Sequence, residues 1–217
     1  MVDQYYNSGL PKKYNPDEWW GDSYQENAGF EEMYARINAL NPTLVIDAGC
    51  GRNNHKAHIK NLIGFDASPF TEVDIHCPIL EAPFEPNCAD AVLVLGSIQF
   101  ISREYIIENM ERVISWLKPE GLIEMRILLH DNTTKNWLET YDRQGVKVPW
   151  DEDLRKYFVD KFNLRYIKTP WTYTATAPLD DKWESRMAEM KATSKRKAEK
   201  FLYKQNLKRE CWTWIKN

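Results

Sequence analysis

The stretch Val45-Ile-Asp-Ala-Gly-Cys-Gly51 constrains this chain more than any other. With Thr43 and Leu44 it forms a short apolar run, Thr43 to Asp47, bounded by Pro42 and Gly49, which is the pattern of a buried strand. The glycines that follow let the backbone approach a ligand closely and adopt dihedrals closed to other residues. Leu62-Ile-Gly-Phe-Asp66 is a second run of the same kind, and Glu72-Val-Asp-Ile75 is a short third. Ala91-Val-Leu-Val-Leu95 has the character of a central strand, and Leu122 to Leu129 reads as the next one.

Helical spacing separates these runs. From Ala28 to Leu40, Phe30, Met33, Tyr34, Ile37 and Leu40 recur at three- and four-residue intervals, and Asn41-Pro42 ends the helix. A second helix starts at Ser102 as cap, carries Ile106, Ile107, Met110, Val113, Ile114 and Leu117, and is expected to stop at Pro119-Glu120-Gly121. Strands alternating with helices imply an α/β three-layer sandwich with a parallel sheet covered on both faces. The last third departs from this rhythm. Leu164 to Ala175 reads as a strand and Asp180 to about Leu207 as one long polar helix. Arg209 to Ile215 then closes the chain as a strand with Cys211, Thr213 and Ile215 on one face. Residues 1–27 show no sustained period and read as an irregular arm with one short helix around Pro16 to Trp20.

Composition narrows the classes. At 217 residues, 43% of them hydrophobic, the chain suffices for one globular domain whose core needs no disulfide or metal staple. A net charge of −3 gives no global argument for nucleic acid or an anionic membrane. No apolar run approaches the ~20 residues that cross a bilayer, and the start Met1-Val2-Asp3-Gln4 lacks a secretory pattern. Cys50, Cys77, Cys88 and Cys211 form no C-x-x-C pair, so reduced thiols and a cytoplasmic location are expected. His55, His58, His76 and Cys77 match no metal-ligand spacing, and no metal is expected.

In a parallel sheet the glycine loop lies at the carboxyl ends of the strands, where ligands bind. Asp66 ends the next run, and a carboxylate there can accept hydrogen bonds from both hydroxyls of a ribose. A nicotinamide dinucleotide would want a third glycine where Asn54 stands, beneath a pyrophosphate. That glycine is missing, and the acidic Asp47 precedes the first one. A ligand carrying an ammonium and a sulfonium suits such a loop better than a phosphate does.

Six segments fall in the order and spacing of a known family: Ile46-Asp-Ala-Gly-Cys-Gly51, Gly64-Phe-Asp-Ala-Ser68, Val73-Asp-Ile75, Pro83-Phe84, Ala89-Asp-Ala-Val-Leu-Val94 and Leu117-Lys-Pro-Glu-Gly121. Over about residues 43 to 130 the chain resembles class I S-adenosylmethionine-dependent methyltransferases. Only Arg52 to Asn61 separate the glycine loop from the second strand, as in the family's compact branch with its reduced first crossover helix. The resemblance implies a Rossmann-like, mostly parallel seven-stranded sheet with an antiparallel last strand. It also implies a single methyltransferase domain over 1–217: an arm and helix over 1–42, a cofactor-binding core over 43–130, and a helical insertion over 180–207.

Carried over, Asp47 and the backbone of Gly49 and Gly51 would face the methionine part of S-adenosylmethionine. Asp66 would hold the ribose with Ala67 beside it, Asp74 and Ile75 would border the adenine, and Gly96 and Ser97 would lie beneath the sulfonium. The family often has an acidic-His or similar pair after the fourth strand, where this chain has Ser97-Ile-Gln-Phe100. No Asn-Pro-Pro-Tyr or Asp-Pro-Pro-Tyr motif follows that strand, which disfavours methylation of DNA base amines.

A sulfonium methyl is already activated, so catalysis reduces mostly to aligning the acceptor and excluding water. His130 and Asp131, just after the fifth strand, are the candidate bases, and Tyr5, Tyr6, Trp19 and Trp20 are candidates to fold over the sulfonium. A small-molecule acceptor is the favoured expectation, with no membrane partner. The basic helix over 186–209, with Lys191, Lys195, Arg196, Lys197, Lys200 and Lys204, keeps a nucleic-acid or protein acceptor open as the alternative. Interleaved Glu184, Glu189 and Glu199 give it the charge pattern of a solvated helix face instead. A non-catalytic cofactor-binding protein of the same fold is the third reading.

Overall fold

A computed structural model of the chain describes residues 30–67, 72–98, 103–128, 152–175, 192 and 207–217. Its elements, in order, are α1 (Phe30–Ala39), β1 (Val45–Ala48), a 3-10 turn (Asn54–Ala57), β2 (Leu62–Asp66), β3 (Ile75–His76), a 3-10 turn (Ile79–Glu81), β4 (Ala89–Leu95), α2 (Arg103–Ser115), β5 (Leu117–Leu128), α3 (Glu152–Phe162), β6 (Leu164–Ala175) and β7 (Leu207–Lys216). They form a 7-stranded sheet in the order β3-β2-β1-β4-β5-β7-β6. Strands β1 to β5 run parallel, and β7 inserts antiparallel between β5 and β6. The expected three-layer α/β sandwich with an antiparallel last strand is what forms.

Alternation along the strands decides which side chains face which layer. Ile46 and Ala48 of β1, Val92 and Val94 of β4, Ile123 and Met125 of β5, and Trp212 and Trp214 of β7 belong to one buried cluster. That cluster also contains Ile106, Met110, Val113 and Ile114 of α2 and Leu154 and Phe158 of α3. The alternate residues, Val45, Ala91, Leu93 and Leu122, pack with Phe30, Met33 and Ile37 of α1. Helix α1 therefore covers one face, and α2 and α3 the other.

Several details differ from the sequence expectations. Helix α2 stops at Ser115, and β5 already begins at Leu117. Pro119 disfavours helical dihedrals at Lys118, and the pairing jumps from Ala89↔Leu117 to Ala91↔Leu122. The Lys118–Gly121 segment is thus a bulge inside the strand, with Glu120 at φ 63, not a helix terminator. Strand β3 is Ile75–His76, displaced toward the carboxyl side of the expected run. Helix α3 was not anticipated. Leu207, where the long polar helix was expected to end, already belongs to β7. The arm over 1–27, the Ser102 cap and nearly all of the 180–207 helix lie outside the described residues. The reduced first crossover is observed: one 3-10 turn, Asn54–Ala57, stands there.

Candidate functional site

The carboxyl ends of β1, β2, β4 and β5 carry the candidate residues. Asp47 is the third residue of β1 and only 1% exposed. Its Oδ2 has no hydrogen-bond partner. Burial, with the Asp66 charge adding to it, pushes its carboxyl up to about 8. An orphaned buried carboxylate oxygen costs folding free energy, and a cation delivered to that place would recover it.

Gly49 and Gly51 both take positive φ, 76° and 55°, where a side chain is strained. The two glycines do different jobs, however. A Cβ on Gly49 would collide with the Ser97 side chain, whose hydroxyl donates to the Ala48 carbonyl at 2.6 Å. Gly49 thus lets β1 and the turn after β4 approach each other. A Cβ on Gly51 would meet nothing within 4 Å, so the backbone there faces open space. The Gly51 amide donates to Asp66 Oδ2 at 2.9 Å, and this contact draws the loop onto the end of β2. Gly96, at φ 84, donates its amide to the Arg126 carbonyl and turns the chain from β4 toward Ser97. Ala67 is exposed just beyond Asp66.

Asp74 is engaged by three groups of the chain itself. Its Oδ2 accepts the Gly64 amide at 2.9 Å and the Asn53 side-chain amide at 3.2 Å, and its Oδ1 pairs with Lys56. Burial alone would raise its pKa, but Lys56, Gly64 and Asn53 outweigh it and hold the carboxyl below its usual range. Three donors already occupy this carboxylate, which leaves little acceptor capacity for an adenine amino group. Asp74 ties β2 to the segment after the glycine loop. Ile75 is half-buried and pairs with Phe65, next to Asp66.

Asn53, which the sequence reading passed over, is the centre of that tie. It takes the left-handed conformation, φ 56 and ψ 32, which asparagine tolerates better than most residues. It is buried, and its side-chain amide also donates to the Glu72 carbonyl at 3.0 Å. It sits so close to Gly64 that any β-carbon there would clash. The glycine in the middle of Leu62-Ile-Gly-Phe-Asp66 was the available signal, since glycine in a strand marks a close approach.

A second unforeseen group stands on the α1 face. The Arg126 guanidinium lies 3.6 Å from the centroid of the Phe30 ring. Tyr34 of α1 shares a 2.9 Å hydrogen bond with His55 Nδ1, and the His55 ring packs edge-on against Phe30. Burial, with Arg126 and His58 nearby, drops His55 to about 4, so it is neutral at physiological pH. Below them, Glu124 accepts from Arg36 at 2.7 Å and from Thr213 at 2.8 Å, which joins α1, β5 and β7. The signal was present in Leu122-Ile-Glu-Met-Arg126, where both charges fall on the same face of a buried strand.

His130 and Asp131 lie outside the described residues, as do Tyr5, Tyr6, Trp19, Trp20 and the basic residues from Lys191 to Lys204. Among the described residues no cluster of His, Cys, Asp and Glu could hold a metal ion, and no helix is long and apolar enough to cross a membrane.

Comparison with known proteins places the fold. The fold is that of class I S-adenosylmethionine-dependent methyltransferases. It overlays on Burkholderia thailandensis 1,6-didemethyltoxoflavin-N1-methyltransferase, solved with 1,6-didemethyltoxoflavin and S-adenosylhomocysteine, with a TM-score of 0.59 at 14% identity, covering 90% of this chain and 81% of that one. The [4+2]-cyclase SpnF overlays with a TM-score of 0.57 at 12% identity, covering 86% of this chain and 79% of that one. In sequence, trans-aconitate 2-methyltransferase of Escherichia coli O9:H4 (strain HS) is 24% identical over 155 residues, which is 64% of this chain and 58% of that relative's length. No family model matches the chain.

Proposed function

We propose that the chain, as one methyltransferase domain over 1–217, binds S-adenosylmethionine and transfers its methyl group to a small-molecule acceptor. The observation that carries this reading is the pairing of a buried, partnerless Asp47 oxygen with an open Gly51 backbone that is held against Asp66. The residues suit the cofactor. Asp66 accepts the ribose hydroxyls, with Ala67 at their side. Asp47 faces the ammonium of the amino-acid arm, and the Gly49–Gly51 bend gives that arm room. Ile75 supplies an apolar border for the adenine, while Asp74 acts mainly through Lys56, Asn53 and Gly64, so its contact with the base is reduced to an edge of the carboxylate. Gly96 and Ser97 form the floor beneath the sulfur.

When bound, S-adenosylmethionine supplies a methyl already activated on a sulfonium. The chain's task is then to orient the acceptor and keep water out, and the proton that leaves the acceptor is taken by His130 or Asp131, the candidate bases of the sequence. The names of the relatives support a small acceptor: two of the three act, as named, on a small organic molecule by methyl transfer. The cyclase on the same fold supports a second reading, in which the cofactor pocket is kept and the chemistry differs.

The test is incubation with methyl-labelled S-adenosylmethionine and a cell extract depleted of the protein, followed by fractionation. Label in the small-molecule fraction is the expected result. Label confined to nucleic acid or protein would move the acceptor to the alternative class. No labelled product, despite cofactor binding, would favour the second reading.

A further inference from the structure

Between Asp66 and Glu81 the chain carries two acids, Glu72 and Asp74, and both pair with cations from the segment that follows the glycine loop. Arg52 donates to Glu72 Oε1 at 3.1 Å, and Lys56 holds Asp74 Oδ1. The other Asp74 oxygen takes the Gly64 amide and the Asn53 side chain. Past these acids the chain runs alongside Asp66. Ile75 pairs with Phe65 and His76 with Asp66, and the Cys77 amide donates to the Asp66 carbonyl at 3.2 Å. From Ile75 to Leu80 the sequence is Ile-His-Cys-Pro-Ile-Leu, with no carboxylate. Glu81 comes only at the end of the following 3-10 turn, and it is exposed.

A purine is told from its near-isosteres by the groups that meet its polar edge. Adenine presents an exocyclic amino donor, and hypoxanthine presents a carbonyl acceptor at the same place. A carboxylate with an idle oxygen accepts from the first and repels the second, whereas an apolar border separates them far less. We infer that Lys56, by occupying Asp74 Oδ1, leaves the exocyclic edge of the base unread, so that this chain accepts a hypoxanthine nucleoside about as well as an adenine one. This rests on the proposed S-adenosylmethionine reading and departs from the adenine contact that the motif implies for Asp74. The Lys56 side chain is 48% exposed, so it can be replaced without opening the core.

Two ligands that differ only in the base decide the matter. Calorimetric titration of the full chain with S-adenosylhomocysteine and S-inosylhomocysteine should give wild-type affinities within about fivefold of each other. Lys56→Met makes Asp74 Oδ1 available and should raise the preference for the adenine ligand by roughly fivefold or more, while Lys56→Arg keeps the wild-type ratio. A ratio taken within one protein is insensitive to a general loss of stability, which weakens both ligands together. Wild type favouring S-adenosylhomocysteine by more than about fivefold overturns the inference and leaves the nucleoside reading standing. A Lys56→Met ratio equal to that of wild type overturns it as well. If folded wild type binds neither ligand, the inference falls together with the reading beneath it.

Discussion

The face of the sheet under α2 and α3 runs apolar from end to end, through Ile46, Ala48, Val92, Val94, Ile123, Met125, Trp212 and Trp214. The face under α1 begins in the same way, with Val45, Ala91, Leu93 and Leu122. Toward the carboxyl ends of the strands it then turns polar, burying Asp47, Glu124, Arg126 and Thr213. The same strands build both faces, so the difference is a matter of which alternate residues carry charge. One face is where stability resides. The other gives up some stability to hold charges out of water, and that is the side on which a charged ligand gains most.

Substitutions on the two faces should therefore fail in different ways. The largest effect belongs to Trp116, which is fully buried and packed edge-on against Phe65 and Phe84 at 5.7 and 5.4 Å. Trp116→Ala should cost about 3–5 kcal/mol in urea unfolding, while the fraction that stays folded binds S-adenosylhomocysteine as before. Weakened binding without lost stability would erase the distinction between the faces.

Asp47 should behave in the opposite way. Its folded carboxyl sits near 8, above its ordinary 3.8. Its contribution to stability is therefore fully present below about pH 4 and is lost as the pH rises through about 8. Asp47→Asn should stabilise the ligand-free protein by about 1–3 kcal/mol at pH 8.5 and hardly at all at pH 4. The same variant should bind S-adenosylhomocysteine more weakly. Thermal melts across that range, with and without ligand, check both signs.

Asp90, at the opposite end of the sheet, sharpens the contrast. It accepts from the Thr43 amide and hydroxyl at 2.7 Å, from the Leu44 amide at 3.1 Å and from Lys118 at 2.7 Å. Burial alone would raise its pKa, but Lys118, Thr43 and Leu44 outweigh it and hold the carboxyl well below the usual range. Its stabilisation is therefore present above about pH 4 and fades as the pH falls through the depressed value. Asp90→Ala should cost about 1 kcal/mol at pH 7, less at pH 3, and leave ligand affinity unchanged. Equal pH slopes for the two aspartates would contradict the assignment.

The scaffold was legible in the sequence wherever periodicity carried it. Leu62–Asp66 and Leu164–Ala175 were bounded correctly, because an apolar run and its flanking turn residues both speak locally. The end of α2 was misread because Pro119-Glu120-Gly121 carries the signs of a helix stop, whereas here it makes a bulge within β5. Only pairing with β4 reveals that. At the candidate site, Asp47, Asp66 and the two glycines announce themselves by spacing. Asn53, Arg126 and Tyr34 do not, since their neighbours Gly64, Phe30 and His55 lie far away along the chain. Asp74 was placed by its motif, and its three donors come from segments whose approach no spacing encodes.

The central claim is that a nucleoside sits with its sugar on Asp66 against the bend at Gly49 and Gly51. Isothermal calorimetry of wild type and Asp66→Ala with S-adenosylhomocysteine addresses it directly, with melting curves to show that both are folded. The account predicts saturable heat for wild type and a loss of roughly 10-fold or more in affinity for Asp66→Ala, which still melts cooperatively although it loses the Gly51 contact. Equal affinity in the two proteins, or no heat from folded wild type, would contradict it.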